Sequence, residues 1–146
     1  MNGPDLLEKA LAIAIEAHRG QRDRCGAPYI THPLRVMHRL TSTDQQIVAI
    51  LHDVVEDTPW TFDDLRREGF PEPILEALDC LTKREREPYE DFVRRSVGNE
   101  LARAVKLADL EDNMDPRRSP ASSQQEIDRH AKYVRAWRFL KGLDSQ

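Results

Sequence analysis

Two histidines and two aspartates in this chain have the types and order of a metal-binding set. His52 and Asp53 are adjacent and follow the apolar run Ile47-Val48-Ala49-Ile50-Leu51. His32 lies upstream in Tyr29-Ile30-Thr31-His32-Pro33, and Asp109 lies downstream in Val105-Lys106-Leu107-Ala108-Asp109. The order is H…HD…D. Two imidazoles and two carboxylates make a mixed nitrogen and oxygen set that suits a divalent cation with positions left open for water. The chemistry such a set supports is metal-assisted hydrolysis.

More carboxylates follow at helical spacing. Glu56 lies four residues after His52 and three after Asp53, and Asp57 lies four after Asp53. Side chains at these intervals share a helix face. An acidic cluster at a helix C-terminus opposes the macrodipole, and a bound cation offsets that cost. An apolar run that delivers His-Asp and then Glu-Asp is expensive to bury without a role. Downstream, Asp109 and Asn113 are four apart. Asp109 can complete a metal shell while Asn113 offers an amide to a ligand hydroxyl. His18, His38 and His130 stand outside this pattern and read as structural.

The elements that must position these residues are helical. Leu6 to Ala17 carries apolar residues at a helical period, with Gly20 as a stop. An irregular arm, Gln21 to Thr31, follows, and Pro33 suits the first turn of a helix from Pro33 to Leu40. Thr43 or Asp44 caps a third helix, expected to run unbroken to Glu56 or Asp57. It is apolar nearly all round, which makes it the buried central helix. Thr61 caps a short helix to Glu68, Pro71 and Pro88 open two more, Asn99 to Met114 forms another, and Gln124 to Leu140 is the last. The expectation is an all-α bundle of about eight helices with no strand, and a polar loop from Pro116 to Ser123.

Bulk properties narrow the class. A chain of 146 residues forms one domain, expected over 1–146, and 39% apolar with 33% charged residues describes a globular protein. No run of 18 apolar residues and no N-terminal leader pattern occurs, so a membrane span and a secretory signal are not expected. Cys25 and Cys80 stand apart, which fits free thiols in a cytoplasmic protein. A net charge of −4 argues against a nucleic-acid partner. Five arginines (19, 22, 24, 35 and 39) nevertheless lie near His32 with only Asp23 among them, a region that can draw an anionic ligand. Nothing in the sequence fixes the oligomeric state.

The segments Ala17-His18-Arg19-Gly20-Gln21, Gly26-Ala27-Pro28-Tyr29-Ile30-Thr31-His32-Pro33-Leu34, Leu51-His52-Asp53-Val54-Val55-Glu56-Asp57-Thr58, Leu81-Thr82-Lys83 and Val105-Lys106-Leu107-Ala108-Asp109 resemble the HD-type hydrolase domain of the Rel/Spo alarmone enzymes. The wording is that of the stand-alone small alarmone hydrolases. The resemblance covers about residues 6 to 114. It implies an HD-domain helical bundle, one Mn²⁺ per chain, and removal of the 3′-pyrophosphate from (p)ppGpp. It implies that His32, His52, Asp53 and Asp109 ligate the metal. Glu56 and Asp57 are then the acidic pair beside the attacking water, and Asn113 contacts the ribose. No synthetase domain is expected to follow.

Two departures from the family pattern fall where the nucleotide is expected. Asp23 stands where relatives carry an arginine that stacks on guanine, with Arg22 and Arg24 beside it as substitutes for substrate binding. Leu110 stands where relatives have arginine after Lys-Leu-Ala-Asp. Alternative substrates are therefore (p)ppApp, NADPH or another nucleotide, and a module that binds alarmone without hydrolysing it is a further alternative.

Overall fold

The computed structural model describes residues 2–118 and 122–143. Within them the chain forms nine helical segments: α1 (Gly3–Ala17), α2 (Thr31–His38), α3 (Thr43–Leu51), α4 (Val54–Asp57), α5 (Phe62–Arg67), α6 (Glu72–Cys80), α7 (Tyr89–Arg95), α8 (Glu100–Asn113) and α9 (Gln124–Leu140). The pairing of Arg22 with Pro28 in the arm is an isolated bridge, and no strand forms among the described residues. Residues 119–121 of the polar loop lie outside the described residues.

The apolar run at 47–51 makes α3 the centre of the bundle. Ile47, Val48, Ala49, Ile50 and Leu51 are fully buried. α3 packs against α1, α2, α6 and α8. Burying side chains of this size stabilises by roughly 1.5–3 kcal/mol each before the entropy of ordering is subtracted. A second, smaller core joins α7, α8 and α9 through Val93, Leu110, Ala136 and Leu140. The last helix thereby closes over the end of α8 that carries Asp109.

The central helix differs from the expectation in two ways. Its cap is Ser42, not Thr43 or Asp44: the Ser42 hydroxyl accepts from Gln45 N while the Gln45 side chain accepts from Ser42 N. It also does not run to Glu56 or Asp57. The helix stops at Leu51, His52 and Asp53 form a turn, and α4 resumes at Val54. The cause is local. The His52 ring Nδ1 lies 2.6 Å from Ala49 O, and the His52 backbone N–H reaches the same carbonyl at 3.4 Å. A carbonyl engaged three residues back tightens the turn and interrupts the i→i−4 ladder. This break is why there are nine segments rather than about eight.

The connection from α6 to α7 is held by one arginine. Arg95 binds Glu87 through Nε at 2.7 Å and Nη2 at 2.8 Å, and donates to Asp79 O and Thr82 O at 2.8 Å each. The same loop contains Arg86 in the left-handed region, φ 62°, a conformation that costs an L-residue about 1 kcal/mol. The staple matters to the site because this loop presents Lys83 N–H to Glu56. The bond to Arg95 holds the Glu87 carboxyl down at about 2, against 4.5 ordinarily. A depressed carboxylate stabilises the fold fully above its unfolded value and less as pH falls through its folded value. Glu87→Gln should therefore lower the thermal midpoint at pH 7. The gap to wild type should narrow as pH drops below 4.5 toward 2. A gap that does not change across that window would show that the staple is not ionic.

Candidate metal centre

Three elements bring the site together. α2 carries His32 on its first turn, the break after α3 carries His52 and Asp53, and α8 carries Asp109. His32, His52 and Asp109 each offer a ligand atom, and these atoms lie within 4.8 Å of one another. His32 Nε2 lies 2.8 Å from Asp109 Oδ1 and 3.9 Å from Asp53 Oδ2. His52 Nε2 lies 3.0 Å from Asp53 Oδ2 and 3.3 Å from Asp109 Oδ1. Both rings and Asp109 are buried.

The outer edge of each ring is tied. His52 Nδ1 faces the Ala49 carbonyl, which only accepts, so Nδ1 carries the proton. His32 Nδ1 lies 2.6 Å from Asp112 Oδ2. Arg118 Nη1 also stands 2.6 Å from that nitrogen. A ring nitrogen either donates or accepts, and donation to the buried Asp112 carboxylate is the arrangement that gains a charge-assisted bond. Each ring then turns the lone pair of Nε2 toward carboxylate oxygens. His52 Nε2 is buried without a well-aligned hydrogen-bond partner, although two carboxylate oxygens stand beside it at ion-pair distance. With Nε2 deprotonated, lone pair faces lone pair and the contact is repulsive until a cation, a proton or a metal ion, stands between them. The donor set thus fits a divalent metal in ligand type and in outer tethers.

Without a metal, a proton on His52 takes the place of the cation among these carboxylates. Burial opposes ionisation of Asp53, yet His52 and His32 hold its carboxyl well below the usual range. Asp109 is held low against burial by Lys106, His32 and His52. Burial lowers His52, but Asp53 and Asp109 outweigh it and hold the imidazolium well above its ordinary value. Asp112 is held low by His32 and Arg35, again against burial.

The second carboxylate group sits on α4. Asp53, Glu56 and Asp57 offer oxygens within 4.8 Å of one another. Glu56 Oε1 accepts from Lys83 N at 2.7 Å, and burial raises its carboxyl above the ordinary value. Burial, then Asp53 and Glu56, push Asp57 up to about 6. A cavity of about 250 Å³ opens over the site and is lined by Glu56, Asn113 and Arg24 as well as His32, His52, Asp53 and Asp109. Asp57 and Arg22 are not among its lining residues. Asn113 Nδ2 reaches Asp109 Oδ1 at 3.3 Å, and its carbonyl accepts from Arg118. Arg118 lines the cavity, whereas Arg117 is exposed and bound to Asp115.

Several functional positions escaped the sequence reading. Asp112 tethers His32 and receives Arg35 at 2.8 Å. Its spacing of three from Asp109 on one helix was the available signal. Tyr29 donates to Asp53 Oδ2 at 2.5 Å and packs edge-on against His18, with ring centroids 5.1 Å apart. His18 is buried there, its Nδ1 2.8 Å from Gln21 Oε1. The two departures from the family pattern also acquire reasons. Asp23 Oδ1 accepts from Cys25 N and Ala27 N at 2.9 Å each, so it folds the arm. Leu110 is fully buried in the small core and is not a lining residue, which corrects the expectation that its replacement touches the nucleotide.

No family model matches the chain. It is 32% identical over 133 residues to a GTP pyrophosphokinase of Streptomyces coelicolor, covering 82% of this chain and 16% of that one. It is 31% identical over 123 residues to the bifunctional (p)ppGpp synthase/hydrolase SpoT of Escherichia coli, covering 74% and 17%. Its homologues are SpoT/RelA-family proteins. The chain spans about a sixth of the length of these curated relatives. A solved structure of a metazoan ortholog of SpoT that hydrolyses ppGpp superposes with a TM-score of 0.74 at 25% identity, over 96% of this chain and 88% of that one. The all-α HD-type bundle of the SpoT/RelA relatives is therefore the fold of this chain.

The raised Asp57 gives a stability test. A carboxyl whose folded value exceeds its unfolded value destabilises the fold once it ionises. In protein stripped with chelator, Asp57→Asn should raise the thermal midpoint above about pH 6 and match wild type below 3.8. An equal gain at both ends of that range would mean that Asp57 acts by something other than its charge.

Proposed function

We propose that this chain holds one divalent cation, Mn²⁺, through His32, His52, Asp53 and Asp109, and hydrolyses the 3′-pyrophosphate of (p)ppGpp-type nucleotides. The observation that carries the reading is the convergence of two Nε2 atoms on Asp53 and Asp109 in a cavity also lined by Arg24, Lys106, Arg118 and Lys132. The relatives support the substrate class: one, from Haemophilus influenzae, 37% identical over 91 residues covering 60% of this chain and 13% of that one, is named guanosine-3′,5′-bis(diphosphate) 3′-pyrophosphohydrolase. A divalent ion bound there supplies Lewis acidity toward phosphoryl oxygens and an acidified water.

The chain's own residues do the rest. Asp112 and the Ala49 carbonyl fix the two ring orientations. Tyr29 holds Asp53 Oδ2 in place. Glu56 takes the proton of the attacking water. What supports Glu56 over Asp57 is that Glu56 lines the cavity and is braced by Lys83 N–H. Asp57 is the acidic neighbour outside the lining, its own carboxyl raised by burial, Asp53 and Glu56. Arg24 and Asn113 bind the nucleotide from the lining, and Arg22 supports the arm that carries Arg24. Two free thiols support a cytoplasmic setting. No described helix is long and apolar enough to cross a membrane.

Purified protein should contain one manganese per chain after loading, and Asp53→Ala should lose it while staying helical. Full manganese content in that variant by elemental analysis would remove Asp53 from the ligand set. In a panel of ppGpp, pppGpp, ppApp and NADPH, pyrophosphate release from the guanosine alarmones should be faster than pyrophosphate release from ppApp or phosphate release from NADPH. Glu56→Gln should keep the metal and lose turnover by about a hundredfold, the scale of a general base. Turnover unchanged in that variant would move the role elsewhere.

A further inference from the structure

Lys106 is a buried cation that neither the core nor a metal cluster accounts for. Its Nζ lies 3.2 Å from Asp109 Oδ2, while Oδ1 of the same carboxylate faces His32 and His52. A positive charge on the far oxygen of a metal-holding carboxylate weakens cation binding by like-charge repulsion. Burying an ammonium in an apolar core is itself unfavourable. The residue is nonetheless held in place, with Nζ 4.8 Å from the Phe92 ring centroid and 5.8 Å from that of Tyr89.

A second lysine shares the Tyr89 ring. Lys132 Nζ stands 4.3 Å from its centroid. Burial, and then the nearby cations Arg129, Lys106, Arg135 and Arg24, lower the proton affinity of Lys132. The Tyr89 hydroxyl is buried and has no hydrogen-bond partner. Tyr89, Lys106 and Lys132 all line the cavity that holds His32, His52 and Asp109. On one wall of that cavity, then, the Tyr89 hydroxyl has no acceptor and the only carboxylate at Lys106 Nζ is Asp109. Two mutually repelling ammoniums and an orphan hydroxyl are stabilised together by one multiply charged anion with several acceptor oxygens.

We propose that Lys106, Lys132 and the Tyr89 hydroxyl form the subsite for the diphosphate group of the substrate, with Lys106 as its deepest contact. The proposal rests on the hydrolase reading above. Asp109 then has a face for each charge: Oδ1 serves the cation and Oδ2 serves Lys106, so one carboxylate sets the spacing between metal and phosphate. Lys132, on α9, closes the outer side.

The test separates phosphate binding from metal binding. Inorganic pyrophosphate is titrated calorimetrically into wild type, Lys106→Met, Lys106→Arg, Lys132→Met and Tyr89→Phe at saturating manganese, and manganese alone into the chelator-stripped proteins. Lys106→Met should weaken pyrophosphate binding about tenfold or more, the scale of a charged hydrogen bond. Lys106→Arg should recover part of it. Lys132→Met, which alters a half-buried side chain and leaves the Asp109 pair intact, should weaken it by about threefold or more. Tyr89→Phe should do the same. Manganese affinity should be unchanged or tighter in every variant. Pyrophosphate affinity unaltered in Lys132→Met and Tyr89→Phe would overturn the subsite. So would a Lys106→Met protein that loses manganese but keeps wild-type pyrophosphate affinity, because Lys106 would then only hold Asp109. The expected pattern in a protein inert toward ppGpp would support the subsite and overturn the hydrolase reading alone.

Discussion

The structure depends on two imidazoles being forced to aim the same nitrogen at the same carboxylates. The Ala49 carbonyl holds His52 Nδ1 and Asp112 holds His32 Nδ1, which leaves both Nε2 atoms facing Asp53 and Asp109. Neither tether is a ligand, yet each decides a ring's orientation and tautomer. The first tether has a consequence for the fold as well. Engaging Ala49 O with a side chain ends the central helix, and His52 and Asp53 form the turn that follows. The apolar run before the break is then free to be core on every side, because the next polar residues come only where the helix has stopped.

The surrounding architecture fixes these parts at close range. α2 and α8 both pack on α3 and on each other, so His32 and Asp109 arrive from two adjoining neighbours of the same helix. α9 seals the far side of α8 through the small core around Leu110 and Leu140. The Arg95 staple shapes the loop whose Lys83 N–H braces Glu56. Charge is segregated within the cavity. The carboxylates Asp53 and Glu56 come from the α3–α4 side, and the cations come from the arm (Arg24), α8 (Lys106), the turn after it (Arg118) and α9 (Lys132), with Asp109 paired to Lys106. A site of this kind suits a substrate that brings both a need for a cation and an excess of negative charge.

The relation to the SpoT/RelA proteins sharpens this picture without replacing it. The chain corresponds to about a sixth of its curated relatives. What it shares with them is the part that builds the histidine–aspartate cluster. Where it departs, the structure supplies local reasons. Asp23 folds the arm through two backbone N–H groups, and Leu110 joins a hydrophobic contact with α7 and α9. Leu110 fits that core, where an unpaired charge would be costly to bury.

The chain alone determined the helices, their order and the histidine and aspartate set, because these rest on local rules. Helical spacing marks an amphipathic face, proline and glycine mark ends, and the five residues Ile47–Leu51 leave no polar side to expose. The break at His52 was not legible, since it arises from one ring competing for one carbonyl. Nor was the difference between Glu56 and Asp57, which are neighbours in sequence but only one of which lines the cavity. Asp112, Tyr29 and Lys106 were visible as residues and invisible as partners. Their roles depend on contacts with segments far along the chain: Asp112 meets His32 across 80 residues and Tyr29 meets Asp53 across 24. Sequence pattern fixes which groups a helix presents. Only packing decides which groups from different helices come within 3 Å of one another, and the orientation of an imidazole is settled at that distance.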